Sequence, residues 1–410
     1  MLSCALLYHK AVVKGVIGGA DAKNGRRLIF RVIPERQLWY NWHTMRETVF
    51  VALAMAVLAG CSPDNGVADY EKGEVAYAAR DLKSAVRYFN SAAAKNPTNF
   101  TARVKLALAN VDLGEIAAAK AAVESAMAVD PCSAEARLLN GNIAYLAKNY
   151  AEAKSAFADI SAAKQLPDEM RSKALVSQAV LELTENMFDR ARVSLWRAVR
   201  LNRRNAAAWY HLGYLSLNTF RFEDAALEQF QMASRLMTDP VRAKAVAQNI
   251  IPTIRESIRT KVATKPGASM RDPGAAAKLV SEGEGLVKKS PAKAVAKFAE
   301  AYGKDPLSYA AAWNFAKARS SSAKSDADIA RVLSAFQDAI DQRPNSQSTY
   351  RTAARFALER KRPIRAEKFL SQALAHDPED KATLSLYVQT LRRLGKSASA
   401  KIYESYLKEL

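Results

Sequence analysis

Residues 206–240 read AAAWYHLGYLSLNTFRFEDAALEQFQMASRLMTDP and carry a regular pattern of small and aromatic side chains. The first half contains Trp209 and Gly213, the second half contains Phe230, and Pro240 closes the stretch. A small residue lets two helices approach closely, and a proline is incompatible with a helix interior because it lacks the amide proton. The stretch therefore predicts two helices joined by a turn and ended by a proline.

The same pattern recurs along the chain with a step of about 34 residues. An aromatic or aliphatic residue is followed by alanine three positions later, and a proline comes five positions after the alanine. Copies of this pattern, complete or partial, lie at Phe89-Ala92-Pro97, Val123-Ala126-Pro131, Phe298-Ala301-Pro306, Phe336-Ala339-Pro344 and Leu370-Ala373-Pro378. A single such unit cannot bury its apolar face alone, so the recurrence predicts a stack of units.

The spacing predicts about nine repeats. Their first helices are expected to begin near residues 66, 100, 134, 172, 206, 275, 310, 347 and 381. Residues 241–273 break the register: Val241 to Val262 has a helical pattern that Pro252 is expected to interrupt, and a turn-rich stretch follows. We therefore predict an N-terminal block of repeats at 66–240, a linker or degenerate repeat at 241–273, and a C-terminal block at 274–410.

Composition agrees with an all-helical chain of 410 residues, because the alternating β-branched runs that predict strands are almost absent. The net charge is +20, from 61 basic and 41 acidic residues. Such a charge raises the question of nucleic acid. The chain has no zinc-finger, homeodomain or single-strand-binding signature, and its basic residues fall mostly on helix positions that face water. We expect no nucleic-acid partner.

The motif of Trp209 to Gly213, followed by Ala226, Phe230 and Ala233, resembles the tetratricopeptide repeat. The resemblance implies an all-α fold, a right-handed superhelix (α-solenoid) of helix-turn-helix units. It also implies protein or peptide partners, bound on the concave face that the first helix of each repeat lines through its second, fifth, ninth, twelfth and thirteenth positions.

In the N-terminal block these positions are apolar and rich in tyrosine, which suits an extended or helical peptide. The candidate binding residues of this groove are Tyr70, Tyr77, Leu138, Asn142, Tyr145, Tyr210, Tyr214 and Asn218. A tyrosine stripe at helical spacing also fits core packing, so both interpretations stay open. The lysine–asparagine clamp by which some members of the family hold a peptide carboxylate is missing, because Leu138 stands where the lysine would be needed beside Asn142.

In the C-terminal block the same positions are polar and cationic. The candidate binding residues there are Asn314, Arg351, Arg355, Gln389, Arg392 and Arg393. Such a face would suit an acidic peptide or an anionic polymer. Arginines on helices are usually solvated, and this alternative also stays open.

The N-terminal region contains an uncharged apolar run at 48–60 that ends at Cys61. Its length is that of a secretory signal core and is too short to span a bilayer. The tetrapeptide from Leu58 to Cys61 resembles the lipobox of bacterial lipoproteins, which implies lipidation of Cys61, with palmitate among the acyl chains.

The resemblance to lipoproteins divides this region further. Met45 is the expected start, 45–60 the signal peptide, 61–65 a tether, and 1–44 a stretch translated from upstream. Ser62 after the cysteine favours the outer membrane, facing the periplasm. The alternative for the apolar run is a buried core helix.

Motifs for catalysis are missing from the sequence. Gly283-Glu284-Gly285 does not continue into a dinucleotide fingerprint, and the three cysteines lack metal-ligand spacing. His211 and His376 have no carboxylate or cysteine at ligand spacing. We expect no enzyme activity, no cofactor, no metal and no small-molecule substrate.

The leading hypothesis from the sequence is a lipid-anchored scaffold for envelope, pilus or secretion assembly. The alternative is an accessory lipoprotein that binds an anionic glycan or peptidoglycan and recruits an enzyme.

Overall fold

The computed structural model describes residues 65–410, and within this range the secondary structure is helical, without strands. The first ten helices are α1 (Val67–Ala78), α2 (Leu82–Lys95), α3 (Phe100–Leu113), α4 (Ile116–Val129), α5 (Ala134–Leu146), α6 (Tyr150–Ala162), α7 (Asp168–Thr184), α8 (Phe188–Leu201), α9 (Ala206–Leu215) and α10 (Glu223–Leu236). The next ten are α11 (Pro240–Ala245), α12 (Ile251–Ala263), α13 (Pro273–Leu286), α14 (Pro291–Lys304), α15 (Tyr309–Ser320), α16 (Asp326–Gln342), α17 (Gln347–Glu359), α18 (Pro363–His376), α19 (Lys381–Arg393) and α20 (Ser397–Glu409). Apart from α11 and α12, each odd-numbered helix pairs with the even-numbered helix after it. The all-α, helix-turn-helix fold class is confirmed.

The glycine and the aromatic residue of the repeat contact each other within one repeat. A Cβ atom at Gly73 would lie 2.6 Å from the Phe89 ring, and one at Gly283 would lie 2.5 Å from the Phe298 ring. The aromatic side chain therefore occupies the space that the missing Cβ leaves between the two helices of its own repeat.

The turns between paired helices share one backbone feature. A residue in the left-handed region ends the first helix of most repeats, which is the usual C-terminal stop of a helix. These residues are Arg80, Gly114, Lys148, Asn186, Arg221, Lys361 and Gly395. Side-chain caps begin several of the first helices: Asn99, Ser133, Asn205 and Ser308 each accept a hydrogen bond from the amide three residues ahead.

The chain from Pro240 to Ala263 is helical throughout, so the expected interruption at Pro252 is wrong. A π-helical turn, Val246–Ile250, joins α11 to α12, and Pro252 lies in the first turn of α12. Proline is tolerated in a first turn because its missing amide proton is not needed there. A second π-helical turn, Ser216–Phe220, follows α9.

Two compact units divide the chain, one ending at Ala156 and the other running from Phe157 to Leu410. The boundaries of the two blocks of repeats at 66–240 and 274–410 stay a prediction.

Within the second unit, α8 packs against repeats that are distant in sequence. The guanidinium of Arg192 is buried, with 3% of its side chain exposed. It donates hydrogen bonds to Tyr403 Oη at 2.8 Å, to Ser371 Oγ at 2.8 Å and to Tyr387 Oη at 3.2 Å. Asp189 accepts a hydrogen bond from Tyr403 Oη at 2.6 Å. The fourth pair of helices is thereby fastened to the last two pairs.

Candidate functional site

The tyrosines of the first repeat pack against its own core. The Tyr70 ring lies 5.7 Å from the Phe89 ring, and the Tyr77 ring lies 6.4 Å from it. Tyr77 Oη also donates a hydrogen bond of 2.6 Å to Asp112 of the next repeat. Burial and this contact with the Asp112 carboxylate raise the pKa of Tyr77 to about 12. Both side chains therefore contribute to packing within and between the first two repeats.

The third repeat contributes a mixed set of groove positions. Leu138 is buried, with 8% of its surface exposed. Asn142 is half-buried, and the Tyr145 ring lies 5.9 Å from the Tyr150 ring. Leu138 thus belongs to the core.

The fifth repeat presents its groove residues as a stripe on one helix face. Tyr210, Tyr214 and Asn218 follow each other at intervals of four residues, along α9 and into the π-helical turn after it. Tyr210 is half-buried against Phe230 in an edge-to-face arrangement, with the ring centroids 5.5 Å apart. Tyr214 is 49% exposed, and Asn218 is exposed and donates to the Tyr214 carbonyl oxygen at 3.0 Å.

Tyr210 opens onto a cleft of about 930 Å³. The cleft lies between α7, α9 and α11 with the π-helical turn that follows α11, and the turns before α9 and α11 lie at its ends. Its lining residues are Glu169, Lys173, Asn202, Arg204, Asn205, Ala206, Ala207, Tyr210, His211, Leu236, Met237, Thr238, Asp239, Arg242, Ala245, Val246, Asn249 and Ile250. We call this the Tyr210 cleft.

The chemistry of the Tyr210 cleft combines apolar and polar groups. The apolar groups come from Leu236, Met237, Val246 and Ile250, and the charged groups include Arg204 and Arg242. Some of these charges are paired: Lys173 lies 2.7 Å from Glu169, and Arg242 lies 3.3 Å from Asp239. Clefts with apolar walls and few polar groups are typical ligand sites.

Two polar groups of the Tyr210 cleft are open to a ligand. No described residue forms a hydrogen bond with the Tyr210 hydroxyl or with the Asn249 side-chain amide. His211 lies beside Tyr210, with the ring centroids 5.6 Å apart, and its burial lowers the pKa of its imidazole. His211 is therefore neutral near pH 7.

The sequence did not identify the side of the cleft that α11 and the π-helical turn after it form. Arg242, Val246 and Asn249 lie in the segment that was expected to be a linker or degenerate repeat. The sequence does contain a pattern that marks the start of another first helix here. Asp239 caps α11 and is followed by Pro240, one repeat length after Ala206.

Two of the four arginines at these positions of the C-terminal repeats, Arg351 and Arg392, are paired within the chain. Arg351 forms an ion pair with Asp380 of the next repeat and a hydrogen bond of 3.2 Å with Thr383. Arg392 lies 2.6 Å from Glu404. The Asn314 side chain donates to Glu284 at 3.1 Å. Arg355, Gln389 and Arg393 are exposed.

Two further features bear on the expected functions. Within residues 65–410, no group of three or more histidine, cysteine, aspartate or glutamate residues is arranged to hold a metal ion. In the same range, none of the helices combines the length and apolar character that crossing a bilayer requires. Cys61, the predicted lipidation site, lies outside the described residues.

Comparison with known families identifies the repeats. One family model described as tetratricopeptide repeat matches residues 76–131, and a second one matches residues 104–167 and 177–240. The chain therefore contains tetratricopeptide repeats, a class that generally mediates protein–protein interactions. No curated protein matches the chain significantly.

Several solved structures are similar in fold. PilF of Pseudomonas aeruginosa is 18% identical, over 50% of this chain and 93% of its own, with a TM-score of 0.37. The Cut9–Hcn1 hetero-tetramer of the APC/C is 13% identical, over 87% of this chain and 81% of the matched chain, with a TM-score of 0.37. YrrB, a repeat protein with an unusual peptide-binding site, is 15% identical, over 48% of this chain and 98% of its own, with a TM-score of 0.31.

Proposed function

We propose that this protein is a non-catalytic scaffold that binds a segment of a partner protein in the Tyr210 cleft. The observation that carries the proposal is the cleft itself, in which an aromatic side chain with an unpartnered hydroxyl faces a volume of about 930 Å³. Tyrosine buries a large area with few rotamers and keeps a polar group for pairing, which makes it effective in peptide recognition.

The two π-helical turns support this assignment. Ser216–Phe220 directly follows the helix that carries Tyr210 and Tyr214, and Val246–Ile250 contributes three residues to the cleft wall. Such turns occur frequently at functional sites, because they redirect side chains at a cost in helix regularity.

The test of the cleft is affinity purification of the protein from envelope extract. Wild type would be compared with Tyr210→Ala/Tyr214→Ala, with Arg351→Ala/Arg355→Ala and with Tyr88→Ala, a tyrosine that is 36% exposed outside the cleft. We expect only the first variant to lose its partner, because it alone removes the Tyr210 side chain from the cleft. A partner that is retained by this variant but lost from Arg351→Ala/Arg355→Ala would move the site to the cationic positions.

We further propose that the scaffold is anchored by lipid on Cys61 at the outer membrane, faces the periplasm, and serves pilus, secretion or envelope assembly. The support for this part is the apolar run at 48–60 that ends at Cys61. Several acyl chains would give durable anchoring where one chain would not.

The test of the anchor is metabolic labelling with a palmitate analogue in a Gram-negative host. We expect label in wild type and in Cys4→Ser, and none in Cys61→Ser. Label that persists in Cys61→Ser would exclude this anchor and leave the cleft proposal intact, because the two tests use different variants.

A further inference from the structure

A second cleft lies in the second unit, where α8 faces the last two pairs of helices. Its volume is about 670 Å³, and it shares no lining residue with the Tyr210 cleft. Its walls come from the turn before α8 and the first turn of that helix, from the end of the π-helical turn after α9, from α18 and from the start of α20. We call it the Phe220 cleft, after one of its lining residues. Because α8, α18 and α20 are second helices of their pairs, this cleft is distinct from the face that the first helices line.

The Phe220 cleft is shaped by contacts within the chain. The Arg192 guanidinium lies 4.3 Å from the centre of the Phe220 ring, and this ring stacks on Phe222 with the centroids 5.8 Å apart. Two lining residues, Ser371 and Tyr387, accept hydrogen bonds from Arg192. The cleft is therefore formed before a ligand binds, which lowers the free-energy cost of ordering on binding.

Large apolar side chains are exposed at the Phe220 cleft. Ile364 is 71% exposed, and Met187 is 37% exposed. Phe188 and Ile402 also line the cleft and are half-buried. Isoleucine is among the residues that are most often buried. Several exposed or half-exposed apolar side chains around one concavity are typical of an interaction site.

The charges available in the Phe220 cleft are positive. Arg190 and Lys368 line it, both are exposed, and neither forms a salt bridge with another residue of the range 65–410. The other charged groups of the cleft have partners: Lys396 Nζ lies 2.6 Å and 2.8 Å from the two carboxylate oxygens of Glu367, and the Asp189 carboxylate accepts hydrogen bonds from two hydroxyl groups. An anionic ligand would therefore find two cations to pair with.

The helices around the Phe220 cleft add to this positive potential. The helices α8, α18 and α20 all begin at the cleft, and their starts have no side-chain cap. The amino end of a helix carries partial positive charge. Arg190 lies in the first turn of α8, where a cation is unfavourable for the helix itself. Helix stability therefore does not account for Arg190.

We propose that the Phe220 cleft binds an acidic segment of a partner protein, with an aliphatic side chain of that segment seated in the cleft. The aliphatic side chain would contact Met187 and Ile364, and carboxylates beside it would pair with Arg190 and Lys368. Charge complementarity selects this occupant, because cations supply only hydrogen-bond donors and positive charge, which carboxylates accept. The concave shape favours an inserted side chain over a flat membrane surface. The scaffold would thereby hold a second partner segment, independently of the Tyr210 cleft.

The experiment measures binding of the fluorescein-labelled peptides EELLEE, EESSEE and KKLLKK to the full chain by fluorescence anisotropy. We expect wild type to bind EELLEE about tenfold more tightly than EESSEE, because only the first peptide buries leucine, and to bind KKLLKK most weakly. Arg190→Gln/Lys368→Gln should bind EELLEE about tenfold more weakly than wild type. The matched control is Lys289→Gln/Lys293→Gln, which removes the same charge from two exposed lysines outside the cleft and should leave the affinity nearly unchanged.

A second pair of variants tests the apolar contact. Ile364→Ser should weaken binding of EELLEE about fivefold and leave binding of EESSEE unchanged. Its control is Val75→Ser, since Val75 is also 71% exposed and lies outside the cleft. Because the substituted side chains of the cleft are exposed, the melting temperatures should equal that of wild type. Lys368→Arg, which keeps the charge, should retain the affinity of wild type for EELLEE.

Three results would overturn the proposal: equal affinities of wild type and Arg190→Gln/Lys368→Gln for EELLEE, equal affinities of wild type for EELLEE and EESSEE, or no binding of EELLEE. Vesicles of phosphatidylglycerol that bind wild type but not Arg190→Gln/Lys368→Gln, with EELLEE unbound, would assign the surface to a membrane instead. Tyr210→Ala/Tyr214→Ala should bind EELLEE like wild type, so failure at either cleft leaves the other proposal standing. A loss of EELLEE binding in that variant alone would assign the peptide to the Tyr210 cleft and overturn the present proposal.

Discussion

The Tyr210 cleft and the cationic positions of the C-terminal repeats occupy equivalent places in the repeat, yet the chain treats them differently. Tyr210 keeps an unpartnered hydroxyl on an open cleft. Arg351 and Arg392 occupy the same kind of position on α17 and α19, and their charges are met by Asp380 and Glu404. The position in the repeat therefore determines which face a side chain joins, and the acidic residues nearby, in the same repeat or in the next one, determine whether that side chain is paired.

The largest effect is expected at Arg192, which holds α8 against the last two pairs of helices. Arg192→Ala would leave the hydroxyls of Tyr387, Tyr403 and Ser371 without their buried donor. Breaking a buried charge network of this kind costs about 3–5 kcal/mol, because the remaining polar groups stay desolvated. We expect the free energy of unfolding in urea to fall by that amount.

The control for Arg192 is Arg197→Ala on the same helix. Arg197 pairs with Glu409, and the two side chains are 28% and 35% exposed. An ion pair this exposed contributes at most about 1 kcal/mol. Equal decreases in the free energy of unfolding for the two variants would show that the buried network of Arg192 does not stabilise the packing of these repeats.

A smaller effect is expected from a substitution at Gly213, which lies beneath the Tyr210 cleft. Gly213→Ala places a Cβ atom 3.0 Å from the Phe230 ring, beneath Tyr210. Overpacking of this kind costs about 1–3 kcal/mol and should weaken partner binding in the Tyr210 cleft. Urea unfolding and affinity purification measure the two consequences.

Gly285 offers a matched control, because no atom lies within 4 Å of a Cβ placed there. Gly285→Ala should raise the free energy of unfolding by up to about 1 kcal/mol, since alanine favours helix over glycine. Opposite signs for the two substitutions are the expected outcome. If Gly213→Ala is as stable as wild type, the close contact between α9 and α10 is not needed for the cleft.

A third substitution should leave Arg351 without an ionic partner, as the Tyr210 hydroxyl is without a hydrogen-bond partner. Asp380→Asn removes the charge that neutralises Arg351 and keeps a side chain that can still cap α19. Affinity for a labelled tetraglutamate peptide should rise roughly twofold to fivefold at low salt and return to the wild-type value at high salt.

The matched variant for this test is Asp377→Asn, which removes the same charge close by in sequence. Asp377 forms no salt bridge within the described residues, so its loss should leave peptide affinity nearly unchanged. An equal gain in both variants would mean that overall charge, and not the release of Arg351, controls anion binding.

The sequence predicted the helices of each repeat well, because their signals are local. The expected starts near 100, 134, 206, 347 and 381 agree with the helices observed. The contacts of Arg192 could not be predicted, since its partners lie about 180 to 210 residues away and no periodic pattern relates them. The pairing of Arg351 with Asp380 was not predicted for a related reason. The spacing of residues along one helix shows which side chains share a face, but Asp380 belongs to the next repeat.

The candidate site was predicted in part for the same physical reason. Tyr210, Tyr214 and Asn218 lie on one face because their spacing follows the helix period. The opposite wall of the cleft was missed because Pro252 was expected to break the helix, and the π-helical turn before it keeps the segment helical. The segment stays helical at Pro252 because a π-helical turn precedes it, and nothing in the order of residues predicts that turn.

The smallest effect is a pH dependence confined to the floor of the cleft. Burial lowers the pKa of His211, so the unfolded chain binds a proton at a higher pH than the folded one does. The stability that comes from neutral His211 is therefore fully present above the unfolded pKa of about 6.5 and is lost as the pH falls below it. The midpoint of urea unfolding should decline from pH 8 to pH 5 more steeply in wild type than in His211→Gln. The difference must vanish above pH 7.5, where His211 is neutral in both states. Identical slopes in the two proteins would mean that His211 is as hydrated in the folded protein as in the unfolded chain, and that this part of the Tyr210 cleft is not shielded from water.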